Sequence, residues 1–319
     1  MQFSPSVYEH AARLIGRTPW DVSRDPELLF QGHAAAYRLY EHRPIVVGID
    51  IYNLEAEAYG AVVPRPQGAG IPAIAVHPLH RLQDLAALTA FDPRAGRPGM
   101  AIEAARRLKR EFPAADVRLP VSGPFSIAAN LIGFENLLIG CLMEPDLARA
   151  ALAHVAQGQV PFVRAIAEAG VDVAFFESAA TPPLLAPHQF RDLEVPAVRP
   201  LLDQFADIMG HPVAFVIGGN TVPILDAILG MGCGYVCCPV ESDQRAFMAK
   251  MQAHPQVMVR VNMDHRIVAG GTWDEIRREA DRVIALARLA PKSCIGTGAL
   301  PYETPPENVL KLKDYVEPL

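Results

Sequence analysis

The 319-residue sequence has few cysteines and no excess of basic residues, and each shortage excludes a class of protein. Its five cysteines include no CxxC pair, which excludes a zinc ribbon and argues against a disulfide framework. We therefore expect free buried thiols, with the adjacent Cys237 and Cys238 facing opposite sides of a strand. Lys and Arg number 29 against 35 Asp and Glu, so no nucleic-acid partner is expected. A hydrophobic content of 50% excludes a disordered chain.

Long apolar runs are also missing. The first ten residues contain Glu9 and His10 with no apolar segment behind a basic cap, so the sequence predicts a cytoplasmic protein without a secretory signal. The most apolar stretch, 125 to 143, is interrupted by Asn130, Glu135 and Asn136. We expect it to form two short buried helices and no membrane span.

Two nucleotide-binding motifs, GxGxxG after the first strand and GxxxxGK[ST], are absent as well. What is present is an alternation of short apolar runs with longer helical patterns. The predicted strands cover 44–50, 117–123, 171–178, 212–219, 233–241, 256–264 and 292–298, with 71–77 as a possible eighth strand or hairpin arm. This alternation predicts an α/β fold, a (β/α)8 TIM-like barrel in one domain over 1–319, with N-terminal helices over 1–43 and the barrel over 44–319.

Polar residues gather where the predicted strands end, which is where such barrels build their active sites. We expect carboxylates that meet at one apolar mouth to raise one another's pKa and to supply a general acid or base, and Asp50 and Glu241 are the catalytic candidates. The candidates for substrate binding are Tyr52, Asn53, Ser178, Asn220, Asn262, Asp264, His265 and Thr297. Gly218 and Gly219 predict a close approach of the backbone to a ligand or cofactor, although a tight turn explains them nearly as well.

Other polar residues have simpler interpretations. Asp243, Ser126 and Thr272 are expected to cap helices. His33 and His42 are expected on the surface of an amphipathic helix. The ten histidines show no metal-ligand spacing such as HExxH, so no metal site is predicted.

Five segments resemble the uroporphyrinogen decarboxylase superfamily in residue identity, order and spacing. They are VSGPFSIAANLIG at 121 to 133, FESAA at 176 to 180, FVIGGNT at 215 to 221, VNMD at 261 to 264 and GTGALPYETPPENV at 296 to 309. The superfamily includes methylcobamide-to-thiol methyltransferases and corrinoid-linked demethylases. The resemblance implies the same barrel, and it suggests a homodimer.

The sequence departs from the family patterns at several positions, and these departures narrow the range of expected activities and cofactors. Asp50 and Ser178 match an aspartate and a serine of the decarboxylases, but Asn130 and Thr297 stand where those enzymes have a tyrosine and a histidine, and their arginine-bearing N-terminal segment is missing. The H-x-C-G-N-T of the zinc methyltransferases is here 216 to 221, without His or Cys, so no zinc is expected. The D-x-H-x-x-G signature of cobalamin modules is absent, so a corrinoid would come on a partner protein or as free cofactor.

The resemblance and its departures together imply a corrinoid-linked methyltransferase without the family zinc site. It would move a methyl group between a small or aromatic donor and a corrinoid, with Asp50 as acid, base or substrate anchor and Glu241 as its competitor. Asn130 is added to the substrate-binding candidates by its place in the family pattern. Two alternatives stay open: a cofactor-independent decarboxylase of a tetrapyrrole or smaller acid, and a non-catalytic ligand-binding barrel.

Overall fold

The computed structural model describes residues 1–318 and contains eight parallel strands in one sheet with helices around it. The strands follow one another in the order β1-β8-β7-β6-β5-β4-β3-β2. They are β1 (Phe3–Ser6), β2 (Ile45–Val46), β3 (Val117–Ser122), β4 (Asp172–Phe176), β5 (Ala214–Val216), β6 (Tyr235–Cys238), β7 (Met258–Met263) and β8 (Ser293–Ala299). This nearly closed barrel confirms the predicted (β/α)8 architecture.

The eighth strand is not where the sequence placed it. Residues 71–77 form no strand and contribute only an isolated bridge between Val62 and Val76. The strand that completes the barrel is β1, whose Phe3 and Ser4 lie beside Ile295 and Gly296 of β8. The prediction of a purely helical N-terminal extension is therefore wrong. The signal was weak because β1 has only four residues and Pro5, which cannot donate a ladder hydrogen bond, lies where the register shifts.

The helices surround this barrel. Those before β3 are α1 (Glu9–Leu14), α2 (Pro19–Arg24), α3 (Pro26–Tyr40), α4 (Leu54–Ala58), α5 (Leu82–Leu85) and α6 (Gly96–Glu111). Those between β3 and β5 are α7 (Pro124–Ile132), α8 (Phe134–Met143), α9 (Pro145–Gln157), α10 (Val160–Glu168), α11 (Pro187–Gln189), a π-helix (Phe190–Glu194) and α12 (Val195–Met209). Those after β5 are a 3-10 helix (Val222–Ile224), α13 (Leu225–Gly230), α14 (Gln244–Met251), α15 (His265–Gly270), α16 (Trp273–Ala287) and α17 (Pro306–Val316).

The apolar stretch of 125 to 143 forms two helices, as predicted, but only the first is buried. Nearly every residue of α7 is inside, whereas α8 exposes Ile139, Leu142 and Met143. Within residues 1–318, no single helix is long and apolar enough to cross a membrane. The pair α7 and α8 passes that test only when taken together, and the two are bent by 114°.

The cysteines behave as predicted: Cys141, Cys233, Cys237, Cys238 and Cys294 are all free and buried. Cys237 lines the interior of the barrel, while Cys238 belongs to the core between the strands and the outer helices.

Like His42, His33 is buried, which corrects the prediction of a surface position for both. The backbone N–H of Gly48 donates to its Nε2 at 3.0 Å, so α3 is tied to the segment that leads to Asp50. Burial lowers the pKa of His33 to about 4, and it does the same for His10 and, to about 3, for His42. Periodicity alone did not reveal this, since α3 is covered by neighbouring helices on the face that carries His33.

We expect this burial to make the protein sensitive to acid. His33 has an ordinary pKa of 6.5 in the unfolded chain and about 4 in the folded one, so stability is lost as the pH falls from 6.5 towards 4. Between pH 6.5 and 5 this single group costs about 2 kcal/mol. His33→Gln keeps an acceptor for Gly48 and removes the proton uptake, so urea unfolding should show a pH-dependent loss smaller by that amount. His188→Gln, at an exposed position, is the control, and equal slopes for His33→Gln and the wild type would contradict the expectation.

Candidate functional site

A cavity of about 360 Å³ opens at the carboxyl ends of the strands. The predicted site residues that line it are Asp50, Tyr52, Asn53, Gly218, Glu241, Asn262 and His265. Residues of the N-terminal segment also contribute, because β1 brings Ser6, Tyr8 and Glu9 to the same mouth. The strand-end rule therefore located the cavity, and the N-terminal wall was missed.

Asp50 lies in this wall within a group of four charged side chains, here called the Asp50 cluster: Arg24, Asp50, Glu57 and Arg97. Both oxygens of Asp50 accept hydrogen bonds from the Arg97 guanidinium, with Nη1 and Oδ2 3.1 Å apart. Arg97 also donates to Glu57, and Arg24 Nη1 donates to both Glu57 oxygens at 2.7 and 2.8 Å. Asn53 adds a bond from its Nδ2 to Asp50 Oδ2 at 3.1 Å.

The Asp50 cluster changes what Asp50 can do. Its side chain is 1% exposed, and the Arg97 guanidinium bonds both of its oxygens as a bidentate partner. The expected mutual repulsion of carboxylates at the mouth does not describe this residue. Sequence reasoning missed Arg97 because it lies in the first turn of α6, distant in the chain, and no local pattern links it to Asp50.

Glu9, which the sequence did not single out, is the carboxyl group best suited to proton transfer. It lines the cavity, is 6% exposed and begins α1. Burial raises the pKa of Glu9 to about 7, and the nearby charge of Glu303 adds to this effect. A carboxyl group that titrates near neutral pH can both give and accept a proton under working conditions. Glu241, in contrast, is exposed at the rim.

Aromatic rings form one side of the cavity. Tyr8 and Tyr52 each contact Phe176 edge to face, with centroids 6.4 and 6.2 Å apart. Burial raises the pKa of Tyr8 to about 12 and raises that of Tyr52 as well, so both hydroxyls stay protonated and can donate hydrogen bonds. Such a wall suits an aromatic or apolar ligand with a few polar groups.

Two polar residues of β7 point into the barrel from below this wall. Arg260 and Asn262 are two positions apart and line the cavity, while Val259, Val261 and Met263 alternate with them on the outer face, in the core. Arg260 is 6% exposed and its Nε has no hydrogen-bond partner; Asn262 Oδ1 has none either. Sequence reasoning found Asn262 and missed Arg260, although a charged residue in the middle of an apolar strand was the available signal.

The remaining predicted site residues lie outside the cavity lining. Asn130 Nδ2 donates to the Tyr52 carbonyl at 2.7 Å, and Thr297 Oγ1 accepts from the Ser6 N–H at 3.2 Å, so both support residues of the wall. Asp264 accepts from the Arg266 backbone N–H at 2.9 Å and caps α15, and the hydrogen bond from the Arg266 side chain lowers the pKa of Asp264. Asn220 is exposed. The structure therefore does not bring Asn220 and Asp264 into the cavity with Asp50.

Ser178 and Gly219 also lie behind the lining. Ser178 Oγ is 3.4 Å from Ser126 Oγ. Gly219 has a φ of +77°, and a side chain there would meet Thr181 Oγ1 at 2.9 Å, so a tight turn accounts for this glycine.

The predicted helix caps are confirmed for Asp243 and Thr272, which accept from the backbone N–H groups of Ala246 and Glu275. Ser126 is not a cap. Its hydroxyl donates to the buried carboxylate of Glu177, and the pKa of Glu177 and of its neighbour Glu194 is raised by burial. Glu177 Oε1 also accepts from the Ala179 N–H at 3.3 Å, and Ser126 Oγ accepts from the Ser178 N–H at 3.0 Å, so these two side chains fix the turn that follows β4.

The donor set does not match the zinc site of the methyltransferases that the sequence resembles. The segment 216 to 221 supplies no imidazole or thiolate, and residues 1–318 contain no group of three or more His, Cys, Asp or Glu arranged to hold a metal ion. Zinc activation of a thiol needs such ligands, so the residues present do not fit that zinc site.

Comparisons with known proteins agree with the fold and the sequence pattern. The model of the family described as Uroporphyrinogen decarboxylase (URO-D) matches residues 2–318. Among solved structures, a methyltransferase from Methanosarcina mazei is similar, with a TM-score of 0.80 and 20% sequence identity over 98% of this chain and 93% of that one. Among curated proteins, the search finds no significant match. The chain belongs to the uroporphyrinogen decarboxylase (URO-D) family.

Proposed function

We propose that the protein is a corrinoid-linked methyltransferase that works without zinc. The observation that supports this most is the cavity itself, which combines an aromatic wall with a buried, protonatable carboxyl group, Glu9. Its volume of about 360 Å³ suits a small or aromatic methyl donor. The corrinoid is a co-substrate in this proposal, and it reaches the open rim either free or on a partner protein.

Glu9 is the proposed general acid. A reduced corrinoid supplies the nucleophile that takes the methyl group. As the bond between the methyl carbon and the donor heteroatom breaks, its electron pair stays on the heteroatom, which for an ether oxygen leaves a negative charge. Glu9 neutralises this charge by delivering its proton, and it is protonated in half of the molecules at about pH 7. The buried site keeps water away from this transfer.

Asp50 and Glu241, which the sequence predicted as the acid, have other roles in this proposal. Asp50, whose oxygens are bonded by Arg97 and Asn53, fixes the part of the cavity wall against which polar groups of the substrate would lie. Tyr52, Asn262 and His265 line the cavity and orient the substrate. Gly218 and Glu241 lie at the rim, where the corrinoid must approach. A corrinoid protein as partner and a homodimer remain predictions.

Decarboxylation is the second candidate, and family membership favours it. In that reaction the carbon–carbon bond breaks, the electron pair stays on carbon, and Glu9 would protonate it. A carboxylate that leaves as CO₂ loses its charge, so a fixed cation beside it would stabilise the ground state more than the transition state. Arg260 at the floor of the cavity thus fits a carboxylate that stays intact better than one that departs.

The test is methyl transfer to cob(I)alamin with a panel of methyl ethers and methylated amines, followed by loss of the cob(I)alamin absorbance. We expect turnover with one donor class, and no turnover without protein. Release of CO₂ from carboxylic acids, measured in parallel, reports the second candidate. If every donor is inert and Asp50→Asn leaves ligand binding unchanged, the proposal is wrong, and a non-catalytic binding barrel becomes the better description.

A further inference from the structure

Arg260 lines the cavity but takes no part in the proposed methyl transfer. It lies on β7 opposite Cys237 of β6 and is 6% exposed. The side chains that act on its charge are Tyr8, Tyr235, Cys237 and Cys294, and burial raises the pKa of all four, so they are neutral near pH 7. Among residues 1–318 no carboxylate pairs with this guanidinium, and its Nε has no partner.

A buried guanidinium without an anion is costly for a protein to keep. Removing an ion from water costs several kcal/mol unless an opposite charge and hydrogen bonds replace the solvent. The other well-buried arginines of the chain obey this rule: Arg97 contacts Asp50 and Glu57, and Arg118 contacts Asp116. Arg260 departs from it at the place where the cavity gives an incoming molecule access to it.

The fold makes room for this arginine. Gly296 of β8 lies beside it, and a Cβ atom at Gly296 would come within 2.7 Å of Arg260 Cγ. Asn262 lies two residues further towards the mouth, about 7 Å along the strand, and its side-chain amide, whose NH2 group can donate to a carboxylate, lines the cavity. His265 follows at the rim. One face of β7 and α15 thus presents a cation at depth, an amide above it and an imidazole at the entrance.

We propose that Arg260 binds a carboxylate of the substrate at the floor of the cavity, with the Asn262 amide next to it. This names the substrate class of the proposed function and rests on it: the donor is a monoanionic carboxylic acid whose reacting end points towards Glu9 and the rim. One guanidinium balances the single charge of a carboxylate and matches its two oxygens. A phosphate dianion would leave a buried negative charge uncompensated.

The first experiment measures binding to the full chain by calorimetry and by thermal shift, without corrinoid. The probes are benzoate, its neutral analogue benzamide, and inorganic phosphate. We expect benzoate to bind about 10- to 100-fold more tightly than benzamide, the range for a charge-assisted hydrogen-bonded pair. Phosphate should give no shift in melting temperature that depends on Arg260. Equal affinities for benzoate and benzamide, or stronger Arg260-dependent binding of phosphate, would overturn the proposal.

Arg260→Met provides the matched variant. It removes a buried unpaired charge at similar volume, so the melting temperature of the ligand-free protein should stay the same or rise. The preference for benzoate over benzamide should disappear. Arg266→Met is the control, because Arg266 carries the same charge near the same mouth but is 77% exposed and paired with Asp264; it should leave the preference intact. A purely structural Arg260 predicts the reverse: a lower melting temperature and an unchanged preference.

Arg260→Lys covers the case in which Arg260→Met does not fold. It keeps the positive charge but loses the planar fork that matches two carboxylate oxygens, so benzoate binding should weaken and benzamide binding should not. The outcomes also separate this proposal from methyl transfer. Arg260-dependent benzoate binding without turnover of any donor supports the subsite and rejects the function. Turnover of neutral donors, with kcat/KM unchanged in Arg260→Met, supports methyl transfer and rejects the carboxylate subsite.

Discussion

Arg97→Leu should destabilise the protein by about 3–5 kcal/mol, the range measured when one partner of a buried ion pair is removed. The substitution leaves Asp50 without its bidentate partner and takes one of two cations from Glu57. Asp50 has almost no access to water, so solvent cannot replace the lost hydrogen bonds. Chemical denaturation at pH 7 measures the change in the free energy of unfolding.

Arg94→Leu is the control for this prediction. Arg94 lies three positions earlier and also forms an ion pair, with Glu168, but the two side chains are 70% and 63% exposed. Such surface pairs contribute about 0–1 kcal/mol. The double variant Asp50→Asn/Arg97→Leu should recover part of the loss, because the uncompensated buried charge is gone. Similar effects of Arg94→Leu and Arg97→Leu would show that the Asp50 cluster is not a coupled unit.

Glu9→Gln should lower kcat/KM by about 10²–10⁴-fold, the usual contribution of a general acid. The amide keeps the size of the side chain and its place at the start of α1, but it has no proton to deliver. In the wild type, activity should fall as the pH rises through about 7, where Glu9 loses its proton. The variant should lack this limb of the pH profile. Glu241→Gln, at the exposed rim, should retain both the rate and the limb.

Glu9→Gln should also be more stable than the wild type under alkaline conditions. The pKa of Glu9 is about 7 in the folded chain and 4.5 in the unfolded one, so its contribution to stability is complete below pH 4.5 and lost as the pH rises to 7. At pH 8 this loss amounts to about 3 kcal/mol, and glutamine avoids it. A variant that is inactive yet no less stable at pH 8 identifies a functional role; one that is inactive because it unfolds contradicts the assignment.

The barrel could be predicted because its signal is local. Each run of apolar, β-branched residues followed by a helical pattern marks a strand and its crossover, and the ends of these strands gave Asp50, Tyr52, Asn53 and Asn262 their place in the cavity. The residues that sequence reasoning missed depend on partners distant in the chain. Arg97 matters because α6 carries it to Asp50, and Arg260 because no carboxylate approaches it. The residues that neighbour Arg97 and Arg260 in the sequence do not indicate either of these contacts or their absence.

The N-terminal part of the cavity wall was not predicted for a related reason. Phe3–Ser6 is too short and too polar to read as a strand, and only β8 makes it one. Glu9 was used in the sequence reasoning merely as evidence against a signal peptide. Its proton affinity comes from burial in the assembled cavity, which no pattern around VYEHAARL encodes.

The pairing of β1 with β8 determines the order in which the barrel can form during synthesis on the ribosome. Phe3 is synthesised long before Ile295, so the ladder between them cannot close until β8 is made, and contacts this distant in sequence form slowly. Throughout translation the segment that carries Tyr8 and Glu9 has no strand to join. Strands β2 to β7 can therefore pair before β8 is made, and the segment with Tyr8 and Glu9 joins the cavity wall only when β8 docks.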